Sequence, residues 1–510
     1  MNFLKIKILL LITFFVACSE SNNSKDNGVV VTRHYLASDV GAQILKEGGN
    51  AFDSAIAVAF ALAVVNPSAG NLGGGGFVVY LKNNKLFTID YREKAPIKSS
   101  RDMYLNSEGD VIKGLSLESY LASGTPGTVA GLIQLHKDEA SMPLEKLIAP
   151  AIVLANEGFQ LSDFQAQYLN KYAKKFKKNK EAEKIFVKEG GWKEGDILIQ
   201  KDLAKSLSLI ATNGSKAFYD GDITKKILND FKENEGIFIK EDFLSYEIRK
   251  LEPLCGAYKS YQICSMPPPS SGGVAIIQML NILENFDIKN YSHNSLEYIY
   301  LIKNIMSFAY ADRSVFLGDP DYFNVPVDKL VSKDYAKKIA EKIKNKETTK
   351  IQPGMLMKES DETTHFSIID KWGNSVSNTY TLNSAYGSGI VAKGTGILMN
   401  NEMDDLSQKP GYPNLYGLVG SEANKIKPKK SPLSSMSPVI VTKDNIPYLI
   451  TGSPGGSTII NSVFQEIVNI VDFEMSLEES SNKNRIHYQW QPDILFYEDL
   501  KPDVLKELEY

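Results

Sequence analysis

The sequence predicts an α+β fold, with a largely helical first part and a strand-rich last part. Apolar residues recur at helical spacing over residues 144–155, 203–210 and 298–311, whereas the residues after 363 show the alternation typical of strands. Apolar residues also run all round the helix predicted for residues 51–65, as in helices buried in a core. With 510 residues, the chain is long enough for two domains or for one large layered domain.

The composition is that of an ordinary globular protein. Apolar residues make up 43% of the chain, charged residues make up 23%, and the net charge is -4, so the charge does not indicate nucleic-acid binding. The lysine-rich stretches 174–178 and 427–430 are therefore interpreted as solvated surface. The five histidines are scattered without metal-ligand spacing, and neither a metal site nor a cofactor is predicted.

The N-terminus has the features of a secretory signal. A basic start and an apolar run over residues 8–17 precede Cys18, and this run is too short to span a bilayer. Residues 15–18 resemble a bacterial lipobox, in which Cys18 would be lipidated. Residues 1–18 are expected to be a lipoprotein signal and residues 19–28 a flexible tether. The mature protein would then be exported to the periplasm and held at a bacterial membrane by lipid only.

The first elements are a strand and two helices. Residues 29–32 form a short apolar strand, and Ser38 is a suitable N-cap for the helix that follows. Asn50 begins the second helix, and Asp53 stands three residues later, where the acidic partner of a capping box is found. This second helix is the one predicted to be buried.

Four consecutive glycines at residues 73–76 predict close packing of the backbone against another segment. Paired strands at 77–81 and 86–90 follow, and Arg92 stands just after them. An arginine at the end of a strand in a glycine-lined region is suited to bidentate binding of a carboxylate, although most such arginines form surface ion pairs.

Cys255 and Cys264 are the cysteines outside the signal. A two-residue turn at Lys259 and Ser260 would place them directly opposite each other in a hairpin. A disulfide and two free thiols both stay open, because an oxidising compartment permits the bond whereas cross-strand geometry is often strained.

The polar, unpatterned residues 342–362 predict a linker that runs directly into Thr363. Strands at 364–369 and 375–382 then form a hairpin. Two further strands, at 439–441 and 448–451, precede a glycine-rich turn and an apolar helix that reaches residue 471. The linker therefore marks the change from helices to strands.

Thr363 is the candidate nucleophile. A threonine hydroxyl needs a neighbouring base, and the α-amino group of an N-terminal threonine can serve as that base. Cleavage between Glu362 and Thr363 would create such an amine. Thr381, one hairpin strand away, is placed to hydrogen-bond the Thr363 hydroxyl, and the N–H groups of Gly455 and Gly456 are suited to stabilise an oxyanion.

These residues are part of a longer series of motifs that resembles the γ-glutamyltranspeptidase family over residues 29–509. The motifs are residues 48–51 (Gly-Gly-Asn-Ala), 73–77, 92–93 (Arg-Glu), 126–128 (Pro-Gly-Thr), 267–273, 312–313 (Asp-Arg), 363–365 (Thr-Thr-His), 380–383 (Tyr-Thr-Leu-Asn), 400–405 (Asn-Asn-Glu-Met-Asp-Asp), 432–438 and 452–456 (Gly-Ser-Pro-Gly-Gly). The resemblance implies an N-terminal-nucleophile hydrolase, a four-layer αββα sandwich with additional helices in its large subunit. Self-cleavage would give a large subunit, residues 29–362, and a small subunit, residues 363–510, of one intertwined catalytic domain.

The resemblance also implies a role for each site residue. The nucleophile, its supporting hydroxyl and the oxyanion hole are expected to be Thr363, Thr381, and Gly455 with Gly456. The residues expected to bind the α-carboxylate of a γ-glutamyl group are Arg92, Ser434 and Ser435. The residues expected to bind its α-amino group are Asn383, Glu402 and Asp405. A lid loop at residues 409–420 is expected to close the pocket with Tyr416.

The implied reaction is acyl transfer without a cofactor. Thr363 would attack the γ-amide carbonyl of a donor such as glutathione, and the amine would leave. The γ-glutamyl ester would then pass to water or to an amino acid or peptide acceptor. No nucleic-acid partner is expected.

Two other functions stay open. A related acylase would use the same fold on glutaryl or β-lactam amides. An unprocessed surface lipoprotein would bind its ligand without turnover. The second is considered because family members continue past the position of Tyr510 with strands of the core sandwich, and a chain without them is expected to expose a sheet edge, at a cost to folding or maturation.

Overall fold

The computed structural model describes residues 28–345, 353–356 and 363–508. Its helices are α1 (Tyr35–Lys46), α2 (Ala51–Val65), α3 (Thr128–Glu139), α4 (Leu144–Glu157), α5 (Asp163–Phe176), α6 (Lys180–Phe186), α7 (Lys201–Asn213), α8 (Ser215–Tyr219), α9 (Asp222–Glu233), α10 (Lys240–Leu244), α11 (Gly272–Leu283), α12 (Leu296–Phe316), α13 (Val327–Leu330), α14 (Lys333–Lys344), α15 (Ile459–Val471), α16 (Leu477–Ser481) and α17 (Pro502–Leu508). Its strands are β1 (Gly28–Val31), β2 (Gly75–Lys82), β3 (Lys85–Tyr91), β4 (Phe159–Gln160), β5 (Ile197–Leu198), β6 (Leu254–Tyr258), β7 (Tyr261–Ser265), β8 (Pro353–Leu356), β9 (Thr363–Asp370), β10 (Ser375–Thr381), β11 (Val391–Ala392), β12 (Ile397–Leu398), β13 (Val439–Lys443), β14 (Ile446–Thr451), β15 (Ile486–His487) and β16 (Leu495–Tyr497).

Two antiparallel sheets lie against each other between layers of helices. Among the described residues, one sheet has the strand order β1-β9-β10-β2-β3 and the other the order β14-β13-β7-β6. Strands β9 and β10 contact β14, and β2 contacts β13. Helix α2 lies against β9 and β10, whereas α11 lies against β6 and β7 and packs against α12, α14 and α15. The αββα sandwich expected from the sequence is confirmed.

Strand β2 contributes side chains to two hydrophobic cores, because its side chains alternate between its two faces. Val78 and Tyr80 pack in the core that contains α2, whereas Phe77, Val79 and Leu81 pack in the core between the sheets, which also contains α11. This is the period of two that separates the faces of a strand.

The central sheet combines the two parts of the chain. Strands β9 and β10 follow residue 362, and they lie between β1 and β2, which precede it. Neither part of the chain therefore completes the sheet alone.

Helix α2 is capped as the sequence predicts. Asn50 and Asp53 form a capping box, and every residue of the helix is buried. The Asp53 carboxylate also accepts hydrogen bonds from the Ser141 N–H at 2.9 Å, the Ser141 hydroxyl at 2.6 Å and the Met142 N–H at 3.0 Å. One carboxylate thus joins the start of α2 to the loop that precedes α4.

The N-cap predicted for α1 is wrong. The helix begins at Tyr35 with His34 as its N-cap, because the His34 ring accepts a hydrogen bond from the Leu36 N–H. Ser38 lies within the helix, and its hydroxyl is 2.9 Å from that of Thr32. A histidine ring has replaced the short hydroxyl side chain that the sequence pattern favours at this position.

The predicted linker is shorter than expected at its start. Helix α14 continues to Lys344 and buries Ala336, Ile339, Ala340 and Ile343. The helix has a single narrow apolar stripe among many charged residues, and residues 342–344 therefore show no clear hydrophobic periodicity in the sequence. Strand β8 also interrupts the stretch and pairs in parallel with β16.

Cys255 and Cys264 are directly opposite in the β6–β7 ladder. They are joined by a disulfide, so the alternative of two free thiols is not what the structure contains. Cys18 and Glu362, by contrast, lie outside the described residues. Within the described ranges, no helix has both the length and the apolar character needed to cross a membrane.

Substitution of Asp53 by alanine is expected to destabilise the fold. The change leaves several buried N–H and hydroxyl donors without their charged acceptor, and we expect the free energy of unfolding to fall by about 3 kcal/mol. Urea denaturation measures the difference. Asp39→Ala, at an exposed position of α1, is the control and should stay within about 0.5 kcal/mol of the unsubstituted protein. Equal midpoints for the two variants would contradict this account of α2.

Candidate functional site

Strands β9 and β10 place two threonine hydroxyls side by side. Thr363 and Thr381 are opposite each other in the ladder, and the Thr363 hydroxyl donates to the Thr381 hydroxyl at 3.3 Å. Thr381 also faces Gly75 of β2, and a Cβ on Gly74 would lie 2.0 Å from the Thr381 carbonyl oxygen. The glycine run therefore packs closely against the strand that supports Thr363, as predicted.

A small cavity, called here the threonine cavity, is lined in part by Thr363. Its volume is about 20 Å³, which is room for about one water molecule. Its walls bring together predicted site residues from distant parts of the chain, which are Thr363, Thr381, Asn383, Glu402, Asp405, Tyr416, Ser435 and Gly456. The remaining lining residues are Leu418, Met436 and Ile459.

Three predicted residues do not line this cavity: Arg92, Ser434 and Gly455. The Ser434 hydroxyl accepts a hydrogen bond from the Met436 N–H at 3.1 Å, and the Ser434 carbonyl accepts one from the Ser271 N–H at 2.7 Å. These bonds fix the segment that precedes β13 and attach it to the residue before α11. Ser434 therefore shapes the loop that carries Ser435 into the cavity wall.

Arg92 lies in a buried cluster of carboxylates. Its side chain is fully buried and forms an ion pair with Glu402 and another, at 2.7 Å, with Asp405. Its Nη1 is 3.4 Å from Glu93, and its Nε donates to the Pro432 carbonyl at 3.2 Å. Arg92, which is expected to bind a carboxylate, is thus paired with Glu402 and Asp405, which are expected to bind an amine. Sequence reasoning assigned no role to Glu93, although it follows Arg92 directly.

Burial changes the protonation of this cluster. Burial raises the pKa of Glu93 to about 7, against the opposing effect of Arg92. Burial also raises the pKa of Glu402, and the nearby Glu93 and Asp405 carboxylates add to the effect. One oxygen of Glu93 and one of Glu402 have no hydrogen-bond partner among the described residues.

A tight turn between β14 and α15 carries the two candidate oxyanion-hole residues. Gly455 has a φ of +126° and Gly456 a φ of +57°, both in the region that favours glycine. A Cβ on Gly456 would lie 2.5 Å from the Tyr416 ring. The turn directly precedes α15, where peptide N–H groups have no acceptor within the helix.

Tyr416 covers the cavity through a set of hydrogen bonds. Its hydroxyl donates to the Asn383 carbonyl at 2.6 Å. Its N–H donates to the Asn414 side chain at 3.0 Å, and the amide of Asn414 donates in turn to Asp405 at 2.9 Å. The lid loop is therefore attached to the same carboxylate that pairs with Arg92.

Sequence reasoning missed the segment that holds the lid from behind. The Gln489 amide donates to the Tyr416 carbonyl at 2.9 Å, and its oxygen is 2.8 Å from Nε2 of His487. The other ring nitrogen of His487 is 2.7 Å from the Asn461 amide on α15. Burial lowers the pKa of His487 to about 4, so this chain of groups is neutral. No periodicity marks these residues, and only a structure reveals their connection.

His365 is close in sequence to Thr363 but is not its base. Its Nδ1 is 2.8 Å from the Thr379 hydroxyl and its Nε2 is 2.9 Å from the Ser367 hydroxyl. Burial lowers its pKa to about 3. His365 is therefore a neutral part of the core. Among the described residues, no group of His, Cys, Asp and Glu side chains is arranged to hold a metal ion.

Taken together, the geometry suits acyl transfer. A hydroxyl supported by a second hydroxyl faces a cavity that is also lined by a glycine of the turn and by two carboxylates, and both carboxylates pair with the buried Arg92. Such charges are suited to a zwitterionic group.

Comparisons with known proteins agree with this chemistry. A family model described as Gamma-glutamyltranspeptidase matches residues 37–510. The chain is 50% identical to the glutathione hydrolase proenzyme of Escherichia coli (strain K12), over 94% of this chain and 84% of the relative. The crystal structure of Helicobacter pylori γ-glutamyltranspeptidase is 46% identical with a TM-score of 0.61, over 62% of this chain and 92% of that chain. The structure of cephalosporin acylase from Bacillus halodurans is 26% identical with a TM-score of 0.79, over 91% of this chain and 84% of that chain.

The buried carboxyl of Glu93 is expected to make stability depend on pH. Its folded pKa of about 7 lies above its usual value near 4.5, so its contribution is present at low pH and is lost as the pH rises through about 7. The variant Glu93→Gln has no carboxyl to titrate at this position and therefore lacks this loss of stability. Between pH 5 and pH 8, its free energy of unfolding should rise relative to the unsubstituted protein by roughly 2–3 kcal/mol, at about 1.4 kcal/mol per pKa unit.

Urea denaturation at several pH values measures this difference. Glu108→Gln, at an exposed position, is the control and should show no such trend. A difference for Glu93→Gln that is the same at pH 5 and pH 8 would contradict the raised pKa.

Gln489→Ala is expected to loosen the lid. The variant loses the donor to the Tyr416 carbonyl, and one hydrogen bond contributes about 1 kcal/mol. Backbone amides of residues 411–418 should therefore exchange hydrogen several-fold faster, as measured by mass spectrometry. Gln43→Ala, at an exposed position of α1, should leave their exchange rates unchanged. Equal rates in both variants would refute the proposed support.

Proposed function

This chain belongs to the γ-glutamyltranspeptidase family, and we propose that Thr363 is the nucleophile of this γ-glutamyl transferase and hydrolase. The enzyme is an N-terminal-nucleophile hydrolase made as a precursor that cleaves itself. The observation that carries the proposal is the Thr363 hydroxyl, which is 3.3 Å from that of Thr381 and lines the threonine cavity.

Cleavage between Glu362 and Thr363 supplies the base. The new α-amino group lies on the same residue as the hydroxyl and accepts its proton during attack. Thr381 orients the hydroxyl through their hydrogen bond. The products are a large subunit, residues 29–362, and a small subunit, residues 363–510, which remain associated because they share the central sheet.

The γ-glutamyl group is held by its two charges. Its α-carboxylate pairs with Arg92, supported by Ser434 and Ser435. Its α-ammonium pairs with Glu402 and Asp405, supported by Asn383. The existing ion pairs between Arg92 and these carboxylates support this assignment, because a zwitterion can insert between them and satisfy both sides.

The reaction proceeds through an ester. The Thr363 oxygen attacks the γ-amide carbon, and the developing oxyanion is stabilised by the N–H groups of Gly455 and Gly456. The Thr363 amine gives its proton to the leaving nitrogen as the C–N bond breaks. Water, an amino acid or a peptide then attacks the ester, which releases glutamate or a new γ-glutamyl compound. With glutathione as donor, the leaving group is cysteinylglycine.

Tyr416 limits the entry of water during this cycle. Its ring lies over Gly456, and its hydroxyl bonds to the loop of Asn383. The cavity of about 20 Å³ is too small for a γ-glutamyl group, so the lid has to move for each donor and acceptor.

The acylase alternative is not favoured. The relative at 50% identity is a glutathione hydrolase proenzyme, whereas the structurally similar cephalosporin acylase is 26% identical. The opposite charges around Arg92 also suit a zwitterionic end better than a glutaryl group, which has no amine.

We propose export for the mature protein. The basic and apolar N-terminal residues support secretion, and the lipobox-like residues 15–18 support a lipid at Cys18. Both lie outside the described residues.

Thr363→Ala is expected to abolish both processing and activity, because it removes the hydroxyl used in each. On a denaturing gel, the unsubstituted protein should give a band of about 38 kDa, for the large subunit with its tether, and one of about 16 kDa, at roughly 110 Da per residue. The variant should give one uncleaved band. Hydrolysis of a γ-glutamyl anilide should fall at least 1,000-fold.

Two variants are controls for this test. Thr363→Ser keeps the hydroxyl and should retain cleavage. Thr364→Val removes a buried hydroxyl that has no partner among the described residues and should be processed normally. Activity that survives in Thr363→Ala would refute the assignment.

A further inference from the structure

A second pocket, called here the lysine pocket, lies beside the threonine cavity. Its volume is about 440 Å³. Its charged lining residues are Lys171, Lys174, Lys175, Lys178 and Glu118. We propose that this pocket binds the C-terminal carboxylate of the peptide part of the donor, and of a peptide acceptor. The proposal rests on the proposed function.

The two cavities share their walls. In three pairs of consecutive residues, one residue lines the threonine cavity and its neighbour lines the lysine pocket. Consecutive Cα atoms are only about 3.8 Å apart. The pairs are Asn383 and Ser384, Glu402 and Asn401, and Tyr416 and Leu415, with the first member of each in the threonine cavity and the second in the lysine pocket. The segments proposed to hold the γ-glutamyl group therefore also form the floor of the lysine pocket.

Lys175 is held in the wall of this pocket by hydrogen bonds. Its ammonium donates to the Gly387 carbonyl at 2.6 Å and to the Ala385 carbonyl at 3.1 Å, and it is 3.4 Å from the Ser384 hydroxyl. A positive charge is thus oriented beside the loop that contains Asn383.

The rest of the pocket is also positive. Lys178 pairs with Glu118, and Lys171 lies 5.2 Å from the ring centroid of Tyr172. Lys171 and Lys174 are exposed. Since Glu118 is the one acidic residue among the five charged residues of the pocket, an anion meets a favourable local field although the whole chain has a net charge of -4.

A γ-glutamyl peptide has a second carboxylate that the threonine cavity cannot hold. In γ-glutamyl-cysteinylglycine, this carboxylate lies two residues beyond the scissile carbonyl, at most about 7 Å away in an extended chain. Arg92 is buried and committed to the α-carboxylate in the proposed complex. The lysine pocket is a neighbouring cavity whose lining carries mostly positive charge, and Leu415 of its wall is the residue next to Tyr416 of the lid.

The test compares γ-glutamyl-cysteinylglycine with its C-terminal amide, which differs only in the charge of that group. We expect the unsubstituted enzyme to have a kcat/KM about tenfold higher for the acid, from chromatography of released cysteinylglycine or its amide. The double variant Lys171→Glu with Lys174→Glu should reduce this ratio to about one. Both lysines are exposed, and cleavage into two bands on a gel verifies folding.

Lys177→Glu is the matched control. Lys177 caps the C-terminus of α5, the helix that carries Lys171 and Lys174, but it lines a different pocket. Its acid-to-amide ratio should stay near tenfold. An unchanged ratio in the double variant would overturn the proposal, and so would an equal loss in Lys177→Glu, which would indicate general attraction of anions. If the proposed function itself were wrong, the result would be different from both of these, because the unsubstituted protein would then turn over neither the acid nor the amide.

Discussion

The register of the central sheet is the constraint on which the site depends. Thr363 pairs with Thr381, and Phe366 and Ile368 on the same strand pack in the core that contains α2. Because side chains alternate along a strand, a slip of one residue would turn Phe366 away from that core and rotate Thr363 out of the cavity. The hydrophobic core therefore fixes the side of the strand on which the proposed nucleophile lies, and the hydrogen bond to Thr381 orients its hydroxyl.

Arg92 imposes a second constraint, because a buried guanidinium is costly without charged partners. Burial alone would lower the pKa of Arg92, but Glu402, Glu93 and Asp405 raise it above its usual value. A bound zwitterion adds one charge of each sign, so the cluster can accept it without a change in net charge.

Local patterns predicted the elements that carry the candidate site, but some caps, helix ends and long-range contacts were not predicted. The hairpin that begins at Thr363 and the buried helix capped by Asn50 follow from periodicity and capping residues, and the family resemblance gathered site residues from several loops. The sequence did not reveal that His34 caps α1, that α14 extends into the predicted linker, or that Gln489 supports the lid. The cap of α1 is a local bond made by a residue type that is not favoured at N-caps. The apolar stripe of α14 is periodic, but charged residues surround it in the sequence. The bond from Gln489 to Tyr416 joins residues that are far apart in the sequence.

Because the two cavities share a wall, the proposed carboxylate site would serve both the release of the donor peptide and the transfer of the γ-glutamyl group to a peptide acceptor. Attack of a peptide amine on the γ-glutamyl ester is the chemical reverse of the departure of a peptide from the donor, so both pass through the same kind of transition state. A site that binds the carboxylate of the leaving peptide is then also the site for a peptide acceptor. Water has no carboxylate and gains nothing from Lys175 or its neighbours. The role proposed for the lysine pocket would therefore favour a peptide over water as the acceptor of the γ-glutamyl group.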